Sequence, residues 1–385
     1  MLVTRTTNMM LQNTLLSNLS MNLSRMDKLQ NQMASGRKFG HISDDPSALI
    51  YGQSARNKLA KVSHNQEMVG VAQSWLTQAE AGVMELNKTV AAVYEELVAA
   101  GGAKTDEDKR ILAMVVGQLR DHYVDTLNTS YGDRYVFGGY NTPGDFAEGR
   151  PPELKPFSVQ DVLNQDTGRV ESRLFFNGFD VSQFDGLTTV QFNDGVVPPG
   201  STLTADDFAV LHQLMSDVKT LDVGPGINIP ITQNGLDVVF FVTRNEDGVA
   251  TVRNTFDLLT EIYNAVNGIP EQLAGTLSNG DTYGPMPAVD PLGTDDLTKL
   301  IGLIQDSQNH LLTRTAEIGG RQRRLELLEA RYAQDALNYE QMRSDAEDAD
   351  MSEVIMYLKM AETVYQAALS AGARIIQPTL MDFLR

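Results

Sequence analysis

Both ends of the chain carry apolar residues at a three-then-four spacing, and this constrains the fold more than any single motif. Near the N-terminus the row is Met9, Leu16, Leu19, Leu23, Met26 and Met33. Near the C-terminus it is Met351, Val354, Leu358, Ala361, Tyr365, Ala368 and Ile375. That spacing draws one apolar seam along a helix, as in helices that wrap around a partner. Neither seam is stable in water alone. The two ends are therefore expected to pair with each other or with neighbouring subunits, with the rest of the chain looped out between them.

The first helix is expected from about Thr7 to Ser35, with Gly36 as its C-terminal cap and Arg37 and Lys38 at its negative end. Asp45 followed by Pro46 starts the second helix, as N-cap and first helical residue. Its stripe, Val69, Ala72, Leu76, Ala79, Val83, Leu86, Val90, Val93 and Leu97, is unbroken until Gly101-Gly102. A third helix is expected from Asp106 to Tyr131, folded back on the second. From Gly138 onward Gly, Pro, Asn and Asp become frequent. Expected strands are Val170–Phe176, Thr188–Phe192 and Leu236–Thr243, and Thr204–Leu221 reads as a helix capped by Thr204. Helical spacing returns at Val252, Phe256, Leu259, Tyr263 and Val266. After a loop from Gly268 to Gly293, a very long helix runs to about residue 342. Its Gly319-Gly320 pair suggests a close helix contact. The acidic stretch Ser344 to Asp350 separates it from the terminal helix and reads as a solvated helix start. The expected fold is mainly α: long antiparallel helices, a paired terminal coiled coil and an inserted β-rich or mixed variable domain. The expected segments are 1–42 with 345–385 (terminal coiled-coil core), 43–140 with 251–344 (inner helical bundle) and 141–250 (variable outer domain).

Charge and chemistry narrow the function. The formal net charge is −19; nucleic acid and anionic membrane surfaces both need a cationic face. There is no cysteine, which removes disulfide, thiolate and cysteine–metal chemistry. The start of the chain shows no apolar signal core, and no stretch approaches the ~20 apolar residues of a membrane span. The histidines His41, His64, His122, His212 and His310 have no metal-binding spacing. Asp44-Asp45 reads as helix capping rather than as a catalytic carboxylate pair. The cluster Asp345, Glu347, Asp348 and Asp350 lacks the glycine and spacing of a calcium loop. There is no phosphate loop and no hydrolase nucleophile motif. Neither catalysis nor a cofactor or metal is expected. Arg321, Arg323 and Arg324 form a basic cluster with two readings, a solvated helix face or an intersubunit ion-pair site facing Asp44 or Asp45.

Several stretches together resemble one family. Ser35-Gly36-Arg37-Lys38 and Ser43-Asp44-Asp45-Pro46 resemble the N-terminal signature of the bacterial flagellin superfamily. The Asp45-Pro46 form and Gly132 to Thr142 are more similar to the FlgL family of hook-associated proteins than to filament flagellin. Ile318-Gly319-Gly320-Arg321, Arg343-Ser344, Glu347 to Glu353 and Ile375 to Leu384 agree. The resemblance spans about 1–142 and 297–385; the terminal Arg385 is flagellin-like, and 141–248 carries no family motif. It implies a structural subunit at the hook–filament junction, exported unfolded by the flagellar type III apparatus without signal cleavage and residing extracellularly. Implied partners are copies of itself in a ring, a second hook-associated protein on the hook side, filament flagellin on the distal side and an export chaperone. On this reading Leu16, Leu19, Leu23, Met26, Met33, Val354, Leu358, Tyr365, Ile375, Ile376 and Leu380 carry the assembly contacts. The alternatives are the filament flagellin itself, an enzyme displayed on this scaffold and a cytoplasmic coiled-coil scaffold.

Overall fold

The structure is a computed structural model. It describes residues 8–41, 43–100, 105–132, 134–139, 155–164, 168–199, 201, 203–216, 218–245, 247–268, 272, 274–277, 282–285 and 294–375. In chain order the elements are α1 (Asn8–Ser35), α2 (Pro46–Ala100), α3 (Asp106–Leu127), β1 (Ser130–Tyr131), β2 (Arg134–Tyr135), β3 (Phe157–Leu163), β4 (Val170–Phe176), β5 (Phe179–Asp180), α4 (Thr189–Asp194) and α5 (Ala205–Ser216). They continue with β6 (Thr220–Gly224), β7 (Ile227–Pro230), α6 (Gly235–Val239), β8 (Phe240–Arg244), β9 (Ala250–Asn254), α7 (Thr255–Asn267), β10 (Gly275–Thr276), β11 (Thr282–Tyr283), α8 (Thr294–Glu347) and α9 (Met351–Ile375). The chain divides into two compact units, Met1–Asn65 with Ala330–Arg385, and Gln66–Glu329.

In the larger unit the α2 stripe is the core. All nine positions from Val69 to Leu97 are buried. Leu112, Val116 and Tyr123 of α3 are buried too, as are Phe256, Leu259, Ile262 and Val266 of α7 and Leu300, Ile304, Leu311, Ile318 and Leu325 of α8. Burial at this spacing supplies most of the stability of such helices. Gly319 and Gly320 lie inside α8, but a Cβ at either would meet nothing within 4 Å. They do not mark the close contact expected from the sequence.

The strands are short antiparallel ribbons: β1–β2, a three-stranded β3–β4–β5 sheet, β6–β7, β8–β9 and β10–β11. Val170–Phe176 forms a strand with the expected limits. Elsewhere local capping overrides strand-like spacing. Thr188 and Gln191 form a reciprocal capping box and Gly195, at φ +66°, closes the turn, so Thr188–Phe192 begins helix α4 rather than a strand. Asn234 caps a helical turn at Gly235–Val239, and the strand starts only at Phe240. Thr204 caps α5 as expected, with Asp207 bonding back to it, but that helix ends at Ser216. α3 stops at Leu127 rather than Tyr131. There Asn128 turns its amide to the backbone of Phe157, donating to its carbonyl and accepting from its N–H at 2.9 Å each. Val252 belongs to β9, and α7 begins three residues later under Asn254.

One wedge ties the middle segment to the bundle. Phe137 is fully buried. A Cβ on Gly82 of α2 would sit 2.8 Å from its ring, and a Cβ on Gly235 would sit 2.6 Å from its carbonyl oxygen. The Gly235 N–H donates to that carbonyl at 3.1 Å. Two glycines thus create the slot that the Tyr135-Val136-Phe137 stretch fills.

Candidate assembly interface

The terminal helices α1 and α9 pair within the smaller unit. Their buried cluster is Leu29, Val354, Leu358 and Ala361, with Met26, Ala349 and Tyr357 packed against it. Further along, Asn22 donates to the Ala361 carbonyl at 3.4 Å. A Cβ on Gly372 would come within 2.7 Å of Leu15. The α1 side of this seam is therefore Leu15, Leu19, Asn22, Met26 and Leu29.

That row differs from the sequence expectation by one residue on alternate turns. Leu19 and Met26 lie in both rows, and both are half-buried. Leu16, Leu23 and Met33 are 62%, 47% and 41% exposed. On α9, Val354 and Leu358 are buried and Tyr365 is half-buried. Ile375 is the last residue of α9; Ile376 and Leu380 lie outside the described residues. α1 thus carries two adjacent apolar rows sharing Leu19 and Met26. One meets α9, and the other faces solvent; on α9, Ile355, Met356, Met360 and Leu369 are exposed as well. Leu15, Asn22 and Leu29 are contacts absent from the sequence-based row, and Leu29 is the buried one. It sits three residues after Met26, and the richer row through Leu23 and Met33 masked it.

Between α1 and α2, and between α8 and α9, the chain is clasped to itself. Gly36, at φ +70°, ends α1, its N–H donating to the Gln32 carbonyl at 2.8 Å. The Lys38 N–H donates to the Glu347 carbonyl at 2.7 Å, and the Ala349 N–H to the Gly36 carbonyl at 2.8 Å. Arg37 and Asp348 form an antiparallel bridge between these bonds. The Glu347 side chain is buried rather than solvated, which corrects the reading of the acidic stretch: its carboxylate crosses α2 over Gly52 and pairs with Arg56. Asp350 does act as expected, accepting from the N–H groups of Ser352 and Glu353 at the start of α9.

Asp44 and Asp45 are both used inside the subunit. Asp45 accepts from the N–H groups of Ser47 and Ala48 at 3.1 and 3.0 Å, capping α2. Asp44 accepts from the Gly40 and His41 N–H groups and from Lys28 Nζ at 3.0 Å. The Lys28 ammonium and these N–H donors hold its carboxyl below the usual range. Arg321 reaches Gln233 Oε1 at 3.4 Å within the larger unit. Arg323 and Arg324 are exposed.

The histidines have local roles. His212 Nε2 lies 2.7 Å from the Phe192 carbonyl and His310 Nε2 2.7 Å from that of Asp237. Burial lowers the His310 pKa. Among the described residues no three His, Asp or Glu side chains form a metal-holding group, and no helix is long and apolar enough to cross a membrane.

This arrangement has known counterparts. Residues 6–142 match the family model for the bacterial flagellin N-terminal helical region. Over 361 residues the chain is 24% identical to flagellar hook-associated protein 3 of Escherichia coli (strain K12), covering 89% of this chain and 88% of that protein. End to end, the chain is similar to flagellar hook-associated protein 3. The flagellar hook-associated protein 3 of Salmonella typhimurium is 25% identical over 276 residues, covering 70% and 76% of the two chains. A solved structure of a hook-associated protein from Vibrio parahaemolyticus, described as putative, shares the fold, with a TM-score of 0.51 at 14% identity over 79% of this chain and 100% of that one. Three of the FlgL-like stretches, Ser35 to Pro46, Glu347 to Asp350 and the one around Phe137, coincide with the clasp and the wedge. Their residue types follow from caps, backbone bridges and close approaches.

Proposed function

We propose that this chain is a structural adaptor that joins the flagellar hook to the filament. The observation that carries this reading is end-to-end similarity to flagellar hook-associated protein 3, together with a terminal helix pair that keeps a second apolar row in solvent. An exposed row of this kind is unfavourable in a lone subunit and becomes favourable once covered; burying each Leu-sized side chain contributes about 1.5–3 kcal/mol. Copies of this chain form a ring whose inner wall is built from these helices. A second hook-associated protein lies on the hook side and filament flagellin on the other. The subunit reaches this extracellular position through the flagellar type III apparatus without signal cleavage, and a chaperone covers the terminal row beforehand. Residues 1–42 with 345–385 form the core wall, 43–140 with 251–344 the bundle around it, and 141–250 the outward part. The exposed Arg323 and Arg324 contribute ion pairs to a neighbouring copy, and charge reversal at Arg323 is expected to weaken ring assembly.

The test is deletion of the gene. The adaptor reading expects hooks without filaments, with soluble flagellin in the medium. Bare hooks with no released flagellin would make this chain the filament subunit. Normal filaments would refute both.

A further inference from the structure

Asn22 occupies a core position of the α1–α9 seam. The seam positions of α1, Leu15, Leu19, Asn22, Met26 and Leu29, keep a four-three spacing, and Asn22 is the polar member. Its amide donates to the Ala361 carbonyl at 3.4 Å, a long bond. The seam differs on its two sides. Toward the clasp, Leu29 meets Val354 and Leu358, all buried. Away from it, Leu15 and Leu19 are only half-buried, and the α9 positions are the half-buried Tyr365 and Ala368 and the buried Gly372.

We propose that Asn22 is a register pin and a weak link. It selects the row through Leu15 and Leu29 as the one that meets α9, and divides the terminal pair into a more stable half beside the clasp and a far half that opens first. The physical reason is that a lone Asn at a coiled-coil core position fixes register at a cost in stability. One register satisfies its amide against Ala361; a slipped register leaves it buried without a partner. The clasp bonds Lys38–Glu347 and Ala349–Gly36 anchor the near half. The far half, whose Leu15, Leu19 and Tyr365 are only half-buried, is covered fully only when other helices pack on it. Leu16 and Leu23 then stay free for neighbouring copies instead of competing for α9. This inference rests on the assembly reading above, but its test uses the free full-length subunit and is independent of the flagellum.

Hydrogen exchange read by mass spectrometry on the free protein provides that test. In the native sequence, amides of 26–35 and 351–361 are expected to exchange at least ten-fold more slowly than those of 13–20 and 364–372. Asn22→Leu is expected to raise protection of the far half at least ten-fold and to shift the subunit from monomer toward dimer in light scattering. Asn13→Leu, the same change on an exposed position of α1, is expected to alter neither readout. Equal protection along α1 in the native protein would overturn the proposal. So would an Asn22→Leu profile unchanged in the far half, or an Asn13→Leu effect matching it.

Discussion

Glu347 is buried in an acidic stretch because Gly52 leaves room for it and Arg56 neutralises it. Removing one partner of such a pair is more damaging than never having had it. Arg56→Ala is therefore expected to loosen the clasp, read as faster hydrogen exchange at Lys38 and Ala349, while Arg56→Lys preserves much of it. Gly82 works by absence as well. A methyl there would strike the enclosed Phe137 ring, so Gly82→Ala is expected to destabilise the larger unit by about 1–3 kcal/mol; unchanged thermal unfolding would refute the wedge. Asp257 couples folding to protonation. It accepts from Ser182 Oγ at 2.8 Å, and its other carboxylate oxygen is buried without a partner. Burial first, then the Asp185 and Asp180 charges nearby, push its pKa up to about 8, against the pull of Arg253. The folded state then holds a proton that the unfolded chain releases near pH 4. Stability from this group is full below that pH and declines as pH rises toward about 8. Asp257→Asn is expected to flatten this decline and to stabilise the larger unit at pH 8 by a few kcal/mol, each pKa unit being worth ~1.4 kcal/mol. An unchanged pH profile of denaturant unfolding would contradict it.

At the scale of elements, the terminal pair separates two kinds of apolar position. Leu358→Asp places a carboxylate in the buried cluster and is expected to cost the pair about 2–5 kcal/mol and abolish incorporation, while residues 66–329 still fold. Leu16→Asp leaves that cluster intact; it is expected to preserve the helicity of the free subunit and still block incorporation. Circular dichroism of the two variants, beside their recovery in sheared flagella, checks both. The long helices were legible in the sequence because their stripes repeat locally: every position from Val69 to Leu97 in the α2 stripe is buried. The caps at Asp45, Gly36 and Thr204 were equally legible, since capping involves residues two to four apart. The seam of α1 was displaced because two rows share Leu19 and Met26, and spacing alone favours the more apolar one. The middle segment was least legible. Strands such as β3 and β6 owe their existence to pairing with β4 and β7. At 188–192 and 235–239 a side-chain cap outweighs an alternation that reads as strand. The role of Glu347 was hidden for a similar reason, since its partners Gly52 and Arg56 are nearly 300 residues away in sequence.

For the whole molecule, the chemistry is that of a building block. A net charge of −19 keeps free subunits apart in solution. On the proposed reading, the exposed apolar rows of α1 and α9 supply the opposing attraction once subunits are aligned. The adaptor and filament readings share these features and differ in where the chain sits and in how many copies. Immunogold labelling of intact flagella with antibody to this chain tests that difference directly. The account predicts a single narrow band of label where hook meets filament. Label along the filament length, or none at that boundary, would contradict it.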